Sequence, residues 1–181
     1  YSPKALAETV TDSISTNVAG TYSNLKGLEN EKIAAFVLAN AEDCVTFKEI
    51  AKSDKFTKVT KLNGSSIPDE NTLVKTGDTF VADGETYRVI VYGDANKDGY
   101  VDTNDSSLIK KYFVGKENLD KYQLEAADVV NNGEVDTNDS AYIKKFFVGK
   151  NNKSIDKLPT DEAVADAEYT ISLNDASNVV N

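Results

Sequence analysis

The chain has 181 residues, and its 30 acidic and 20 basic residues give a formal net charge of −10, which disfavours binding to nucleic acid or to an anionic membrane. The length suits one medium domain or two small ones, and a hydrophobic content of 40% excludes a wholly disordered polar chain. The longest apolar runs, such as Ile33–Leu38, suit a strand and fall short of a membrane span.

The pattern of residues 33–93 predicts a small mixed α/β unit. Residues 1–32 carry weak signals and are either a linker or part of this unit. Ile33–Ala39 is apolar and predicts a strand. Phe47–Lys52 predicts a short helix, because Thr46 suits its N-cap and Glu49 its third position.

The clearest hairpin of this unit comes next. Phe56–Leu62 predicts a strand that ends in an Asn63-Gly64 turn. Residues 78–92 form two runs of strand-favouring residues around Asp83-Gly84. The predicted order is β-α-β-β-β, with one helix on one sheet in a β-grasp-like or similar arrangement. With the helical second half described below, the predicted fold class is α+β.

A duplicated segment dominates the second half of the chain. Residues 94–116 and 128–150 are offset by 34 positions and are identical at 15 of 23 aligned positions. Such a duplication predicts two copies of one supersecondary element that pack with approximate two-fold symmetry. Beyond it, residues 151–181 are polar and acidic, and the alternation around Tyr169, Ile171 and Leu173 predicts one further strand.

The start of each copy has the spacing of a calcium-binding loop. In residues 94–105, oxygen-bearing side chains fall at loop positions 1, 3, 5, 9 and 12, a glycine at position 6 permits the sharp turn, and a backbone carbonyl serves position 7. Four carboxylates this close would repel one another without a cation. The predicted ligands of loop one are Asp94, Asn96, Asp98, Tyr100, Asp102 and Asp105.

Loop two, residues 128–139, keeps the same register with one fewer carboxylate. Val130 stands at position 3 and cannot bind a metal, so Asn131, a water or a local distortion must take its place. Because affinity follows the number of charged ligands, we expect two calcium sites with the second one weaker. The predicted ligands of loop two are Asp128, Asn132, Glu134, Asp136 and Asp139.

Each loop is followed by an amphipathic helix. Apolar residues share one face in each copy, and we expect the two faces to pack against each other. The residues before loop one favour a strand, so the predicted unit is a loop with an exiting helix and no entering helix, unlike an ordinary EF-hand. The apolar faces comprise Leu108, Ile109, Tyr112 and Phe113 in copy one, and Tyr142, Ile143, Phe146 and Phe147 in copy two.

These residues resemble dockerins, the duplicated calcium-loop modules of bacterial cellulosome-type assemblies. The resemblance covers Gly93 to about Pro159, and the tandem spacing and the aspartate at loop position 12 carry it. It implies a secreted or cell-surface location and a non-catalytic module that binds a cohesin domain on a scaffold protein. The implied recognition residues are Thr103, Asn104, Lys110, Lys111 and Gly115 in copy one and Thr137, Asn138, Lys144, Lys145 and Gly149 in copy two.

The lysines among these residues independently suggest a recognition surface. They lie off the apolar faces and are basic clusters on an acidic protein, which suits an acidic partner. Their presence in both copies predicts that a partner can bind in two orientations related by a half-turn.

The upstream unit resembles the X modules that precede some dockerins. It meets the second unit at Tyr92-Gly93 with no flexible linker, so we expect a rigid pair in which the X module stabilises the dockerin. The alternative is an independent spacer. The predicted boundaries are 1–92 for the X-module-like domain, 93–160 for the dockerin and 161–181 for a tail, strand or start of another module. Leu158-Pro159 is expected to pack near Val91 and Tyr92.

Other functions are less consistent with the composition. There is no His, and there is no nucleophile setting or carboxylate pair outside the loops, which argues against an enzyme. A calcium buffer or sensor would need entering helices. An extracellular carbohydrate-binding or adhesin fragment, with Tyr22, Phe80 and Tyr87 as its aromatics, stays as the alternative, although there is no Trp. The absence of Met and of a signal peptide suggests a segment of a larger secreted protein, and we expect a monomer.

Overall fold

A computed structural model describes residues 17–53, 55–66 and 69–148. Within them the chain is α+β, as predicted. The strands are β1 Asn17–Leu25, β2 Leu28–Leu38, β3 Val45–Thr46, β4 Val59–Leu62, β5 Ser65–Ser66, β6 Leu73–Val74, β7 Thr79–Ala82 and β8 Glu85–Val91. The helices are α1 Phe47–Lys52, α2 Thr103–Phe113, α3 Lys121–Ala127 and α4 Thr137–Phe147. The predicted strand near Tyr169 and the predicted contact of Leu158-Pro159 lie outside the described residues.

The first half, residues 17–92, is built on one mixed sheet, which we call the sheet unit. Six strands follow the order β1-β2-β8-β7-β4-β5, and β3 and β6 form a separate two-stranded ribbon. The central strands β2 and β8 are parallel and the other neighbours are antiparallel. Residues 33–38 and 89–92 are buried, as continuous apolar runs in covered central strands should be.

The predicted elements of this unit are present, and the structure adds others. Helix α1 has the predicted bounds, with Thr46 and Glu49 forming a reciprocal capping box. The predicted order lacked β1, β3, β5 and β6. Residues 17–32, for which a linker was one alternative, lie in β1, the turn and the beginning of β2. Of the aromatics considered for sugar binding, Tyr22 and Phe80 are buried in the core, where no sugar ring could stack on them.

The second half of the described chain contains three helices and no strand. Helices α2 and α4, the two copies of the repeat, pack against each other around a buried pair of serines. The Ser106 and Ser140 hydroxyls lie 2.7 Å apart, and each donates to the backbone carbonyl of the other residue at 3.1 Å. Because the two residues are 34 positions apart, this reciprocal contact lies on the approximate two-fold axis that relates the copies.

The predicted apolar faces of these helices are only partly correct. Ile109 and Ile143 are fully buried, but Phe113 and Phe147 are 54% and 43% exposed. The helix contact is centred near Ser106, and a residue seven positions further along lies about 10 Å away along the helix axis. The last turn of each helix therefore extends past the contact, and its phenylalanine lies at the surface.

No helix among the described residues is both long and apolar enough to cross a bilayer.

Candidate metal centre and its surroundings

Loop one follows β8 after only two residues, and its carboxylates converge. Single oxygen atoms of Asp94, Asp98 and Asp105 all lie within 4.8 Å of one another. The Asn96 side chain joins this group, since its amide donates to Asp98 at 3.2 Å. The predicted ligands at loop positions 1, 3, 5 and 12 thus lie close together.

Backbone amides fix the orientation of the two buried carboxylates. Asp94 Oδ1 accepts from the Asp98 N–H, and Asp94 Oδ2 accepts from the Gly99 N–H, both at 3.0 Å. Asp105 accepts from the Asn96 N–H at 3.0 Å and from the Asp102 N–H at 2.9 Å. Asp105 therefore joins the beginning and the end of the loop from the first turn of α2.

Ionisation of these two carboxylates without a nearby cation is energetically unfavourable. Both side chains are fully buried, and burial raises the pKa of Asp94 to about 7 and that of Asp105 to about 8, although backbone N–H donors oppose the rise. A cation at the centre of the cluster would offset this penalty and the mutual repulsion. An all-oxygen donor set of carboxylates, an amide and a carbonyl suits a hard cation such as Ca²⁺.

Loop two repeats the backbone of loop one closely. The Val130 N–H donates to Asp139 at 3.1 Å, as Asn96 does to Asp105. Asn131 has φ 59°, against 64° for Lys97 at the same loop position. The backbone of loop two therefore matches that of loop one at these positions, and the substitute for the ligand missing at Val130 (Asn131, a water or a local distortion) stays a prediction.

Burial perturbs the carboxylate at position 12 less in loop two than in loop one. Burial raises the pKa of Asp139 to about 6, below the value for its counterpart Asp105. Asp128 accepts from the Asn132 N–H at 3.2 Å and from the Gly133 N–H at 2.9 Å. Asp128 and Asp139 thus accept the same backbone hydrogen bonds within loop two as Asp94 and Asp105 accept within loop one.

The prediction that neither loop has an entering helix is wrong for loop two. Helix α3, Lys121–Ala127, ends directly before Asp128. Its N-terminus is a capping box in which Asp120 accepts from the Gln123 N–H at 2.8 Å, while the Gln123 side chain accepts from the Asp120 N–H at 3.0 Å. This Asp-x-x-Gln spacing is a sequence signal that could have located the helix.

The predicted partner-binding residues lie at the surface in both copies. Lys110 and Lys144 approach each other across the helix pair, since contact and repulsion from the Lys144 ammonium lower the pKa of Lys110. One lysine of each cluster therefore lies close to the equivalent lysine of the other copy. The exposed residues are Thr103, Asn104, Lys110, Lys111 and Gly115 together with Thr137, Asn138, Lys144 and Lys145, while Gly149 lies outside the described residues.

A polar cluster that the sequence did not predict joins the sheet unit to α3. Glu31 on β2 accepts hydrogen bonds at 2.8 Å from the Tyr122 hydroxyl, and the Lys121 ammonium lies 2.8 Å from it. The Arg88 guanidinium lies 4.6 Å from the centre of the Tyr122 ring. Nearby, the buried Tyr92 hydroxyl donates to Glu125 at 2.6 Å. The two halves thus share a specific interface.

This cluster predicts an acid-sensitive contribution to stability. Burial alone would raise the pKa of Glu31, but hydrogen bonds from Lys121 and Tyr122 outweigh it and lower the pKa below its ordinary 4.5. The stabilisation is therefore complete above pH 4.5 and is lost as the pH falls through the lower folded-state pKa. We expect Glu31→Gln to lower the free energy of unfolding by about 1 kcal/mol at neutral pH, and by progressively less in acid.

Denaturant unfolding at a series of pH values checks this expectation. Glu117→Gln, which removes one exposed carboxylate between α2 and α3, is the control and should leave the free energy of unfolding nearly unchanged. A Glu31→Gln deficit that stays constant down to pH 3 would contradict the proposed ionic origin.

A comparison with protein-family models gives a match in the second half of the described chain. The model of the dockerin type I domain matches residues 92–148. No curated protein and no solved structure matches the chain.

Proposed function

We propose that residues 92–148, which form a dockerin domain, attach this chain to a cohesin module of a scaffold protein in a calcium-dependent way. Dockerin domains bind calcium and cohesin modules, are non-catalytic and belong to extracellular cellulosome components. The observation that best supports the proposal is the two-fold arrangement of the repeats around Ser106 and Ser140, with a carboxylate-lined loop at the start of each helix.

The proposed calcium ligands are those named from the sequence. In loop one, Asp94, Asp98 and Asp105 are the carboxylates that converge, and Asn96 and the Tyr100 carbonyl complete the set with Asp102 at position 9. In loop two, Asp128 and Asp139 occupy the corresponding ends of the loop. The ion would neutralise the buried carboxylates and join the start of each loop to its helix, so part of its binding free energy would stabilise the fold.

The proposed cohesin-binding surface is the side of the helix pair that bears the lysine clusters. Thr103 and Asn104 begin α2, and Thr137 and Asn138 begin α4, in equivalent exposed positions. Because a half-turn about the serine contact exchanges the two copies, an acidic partner would meet nearly the same groups in either orientation. We therefore include two binding orientations in the proposal.

The sheet unit is proposed to stabilise the dockerin as an X module does. The Glu31 cluster and the Tyr92–Glu125 hydrogen bond support this role over that of an independent spacer. In this proposal the boundary between the two units lies at Tyr92-Gly93, and the dockerin extends from residue 93 to residue 160, past the end of the family match at residue 148.

The experiment that tests the proposal is a binding screen of the full chain against a panel of cohesin modules, with calcium and with chelator. We expect at least one cohesin to bind in calcium and to be released by chelator, and binding should return when calcium is restored. Retention by no cohesin, or binding that survives exhaustive chelation, would contradict the proposal.

The weaker second site gives a further prediction. Val130→Asn supplies the side-chain oxygen that position 3 lacks, on a backbone that already matches that of loop one. We expect calcium affinity of loop two to rise by roughly tenfold. Calorimetry of the wild-type chain and the variant measures this change. Val130→Ala, which alters the same position and adds no ligand, is the control and should leave the affinity of loop two nearly unchanged. Equal affinities for wild type and Val130→Asn would show that position 3 does not limit the site.

A further inference from the structure

The sheet unit reaches into loop one through the turn between β6 and β7. The backbone N–H of Thr76 donates to Asp94 Oδ2 at 3.0 Å. Thr76 is itself held firmly, because its buried hydroxyl bonds both the N–H and the carbonyl of Val91 at 3.0 and 3.2 Å. A residue 18 positions before the loop thus orients the carboxylate at loop position 1.

This hydrogen bond determines which oxygen of Asp94 is available to an ion. A carboxylate oxygen offers about two lone-pair directions. Asp94 Oδ2 already accepts from both Thr76 and Gly99, whereas Oδ1 accepts from Asp98. The Thr76 donor therefore completes the two acceptor directions of Oδ2, whereas Oδ1 accepts only one of these hydrogen bonds and keeps a second direction for an ion.

A second contact supports the sharp turn of the loop. A Cβ atom placed on Gly99 would lie 2.8 Å from side-chain carbons of Leu73, so the loop backbone rests directly on this leucine. Gly99 has φ 88° and is buried. Leu73 in β6 thus forms the floor under loop position 6.

Loop two provides an internal comparison. Gly133 has nearly the same φ, 85°, yet nothing within the described structure lies within 4 Å of a Cβ placed there, and Gly133 is exposed. The sheet unit therefore supports one copy of a nearly symmetric pair at this position and not the other.

We propose that the sheet unit is a structural part of the first calcium site, in which Thr76 and Leu73 hold Asp94 and Gly99 in the ligating arrangement. The inference rests on the calcium binding contained in the proposed function. Calcium binding in loop one and docking of the sheet unit then strengthen each other by the same factor, because linkage is reciprocal. Thr76 and Leu73 are positioning residues, and loop two binds calcium independently of them.

A calcium titration of the full chain followed by nuclear magnetic resonance tests this coupling. The Gly99 and Gly133 amides each donate to the position-1 carboxylate of their own loop, so their resonances report the two sites separately. We expect Leu73→Ala to weaken calcium binding at loop one by roughly tenfold and to leave loop two unchanged. Leu62→Ala, which truncates a buried leucine of β4, is the control and should change neither affinity.

A second measurement needs no substitution. Calcium should slow hydrogen exchange of the Thr76 amide in the wild-type chain, although Thr76 lies outside the loop. A Gly99 response to calcium without protection of Thr76, or an unchanged loop-one affinity in Leu73→Ala, would overturn the coupling and leave calcium binding intact. If neither Gly99 nor Gly133 responds to calcium, the proposed function fails together with the coupling.

Discussion

Replacing Asp105 with alanine is expected to remove calcium binding from loop one and to destabilise the helix pair. The substitution deletes the carboxylate that closes the loop and leaves the N–H groups of Asn96 and Asp102 without this acceptor. It also removes half of the capping box of α2. We expect affinity at loop one to fall by roughly 100-fold, since calcium affinity follows the number of charged ligands and this substitution removes one of four carboxylates.

Calorimetry and thermal unfolding in calcium measure both effects. Asp139→Ala makes the equivalent change in loop two and is the matched control, because it should remove calcium binding from loop two and leave loop one unchanged. Asp105→Asn keeps the shape of the side chain and should be intermediate in stability. If Asp105→Ala keeps two calcium sites of unchanged affinity, the assignment of Asp105 as a ligand is wrong.

The parts of this protein that were predictable from sequence are those set by local patterns. The register of loop one, the bounds of α1 and the hairpin at Asp83-Gly84 each depend on residues a few positions apart. In the hairpin, both turn residues have positive φ, of 53° and 81°, which Asp-Gly tolerates. Local rules sufficed there because the interactions themselves are local.

The elements that sequence reasoning missed have weak local patterns. Strand β1 contains Gly20 and small polar residues, and it lies at the edge of the sheet, where pairing with β2 rather than composition makes it a strand. Helix α3 has only seven residues, too few for a periodic apolar face to be recognised. Its capping signal was present, but it lies between two conspicuous repeats.

Long-range contacts were beyond any local pattern. The hydrogen bond from Thr76 to Asp94 and the hydrogen bond from Tyr122 to Glu31 join residues 18 and 91 positions apart. Likewise, helical periodicity places Phe113 on the same face as Ile109, but only the packing of α2 against α4 shows where that face is covered. The two copies of the repeat are nearly identical in sequence, but only copy one is in contact with Leu73 of the sheet unit at its loop glycine.

The sheet unit contacts copy one of the repeat at Gly99 and leaves the equivalent Gly133 of copy two exposed. Substitution of the lysine clusters tests whether a cohesin can nevertheless bind in two orientations. Alanine at both Lys110 and Lys111 is expected to leave cohesin affinity nearly unchanged, because the partner can turn and use Lys144 and Lys145. The reverse pair of substitutions should behave in the same way. Alanine at all four positions should weaken binding by about 100-fold, since loss of a central recognition cluster costs about 2 kcal/mol or more.

The control for the fourfold change is removal of the same number of charges elsewhere. The control variant has alanine at four exposed lysines of the sheet unit, Lys26, Lys52, Lys58 and Lys61. It has the same net charge as the fourfold variant of the lysine clusters, and its cohesin affinity should be nearly unchanged. Titration of each variant with a cohesin identified in the screen measures the affinities. A full loss in Lys110→Ala/Lys111→Ala would mean that a single orientation is used. In that case the support that the sheet unit gives to copy one would extend to recognition, because only the copy that rests on the sheet unit would bind the partner.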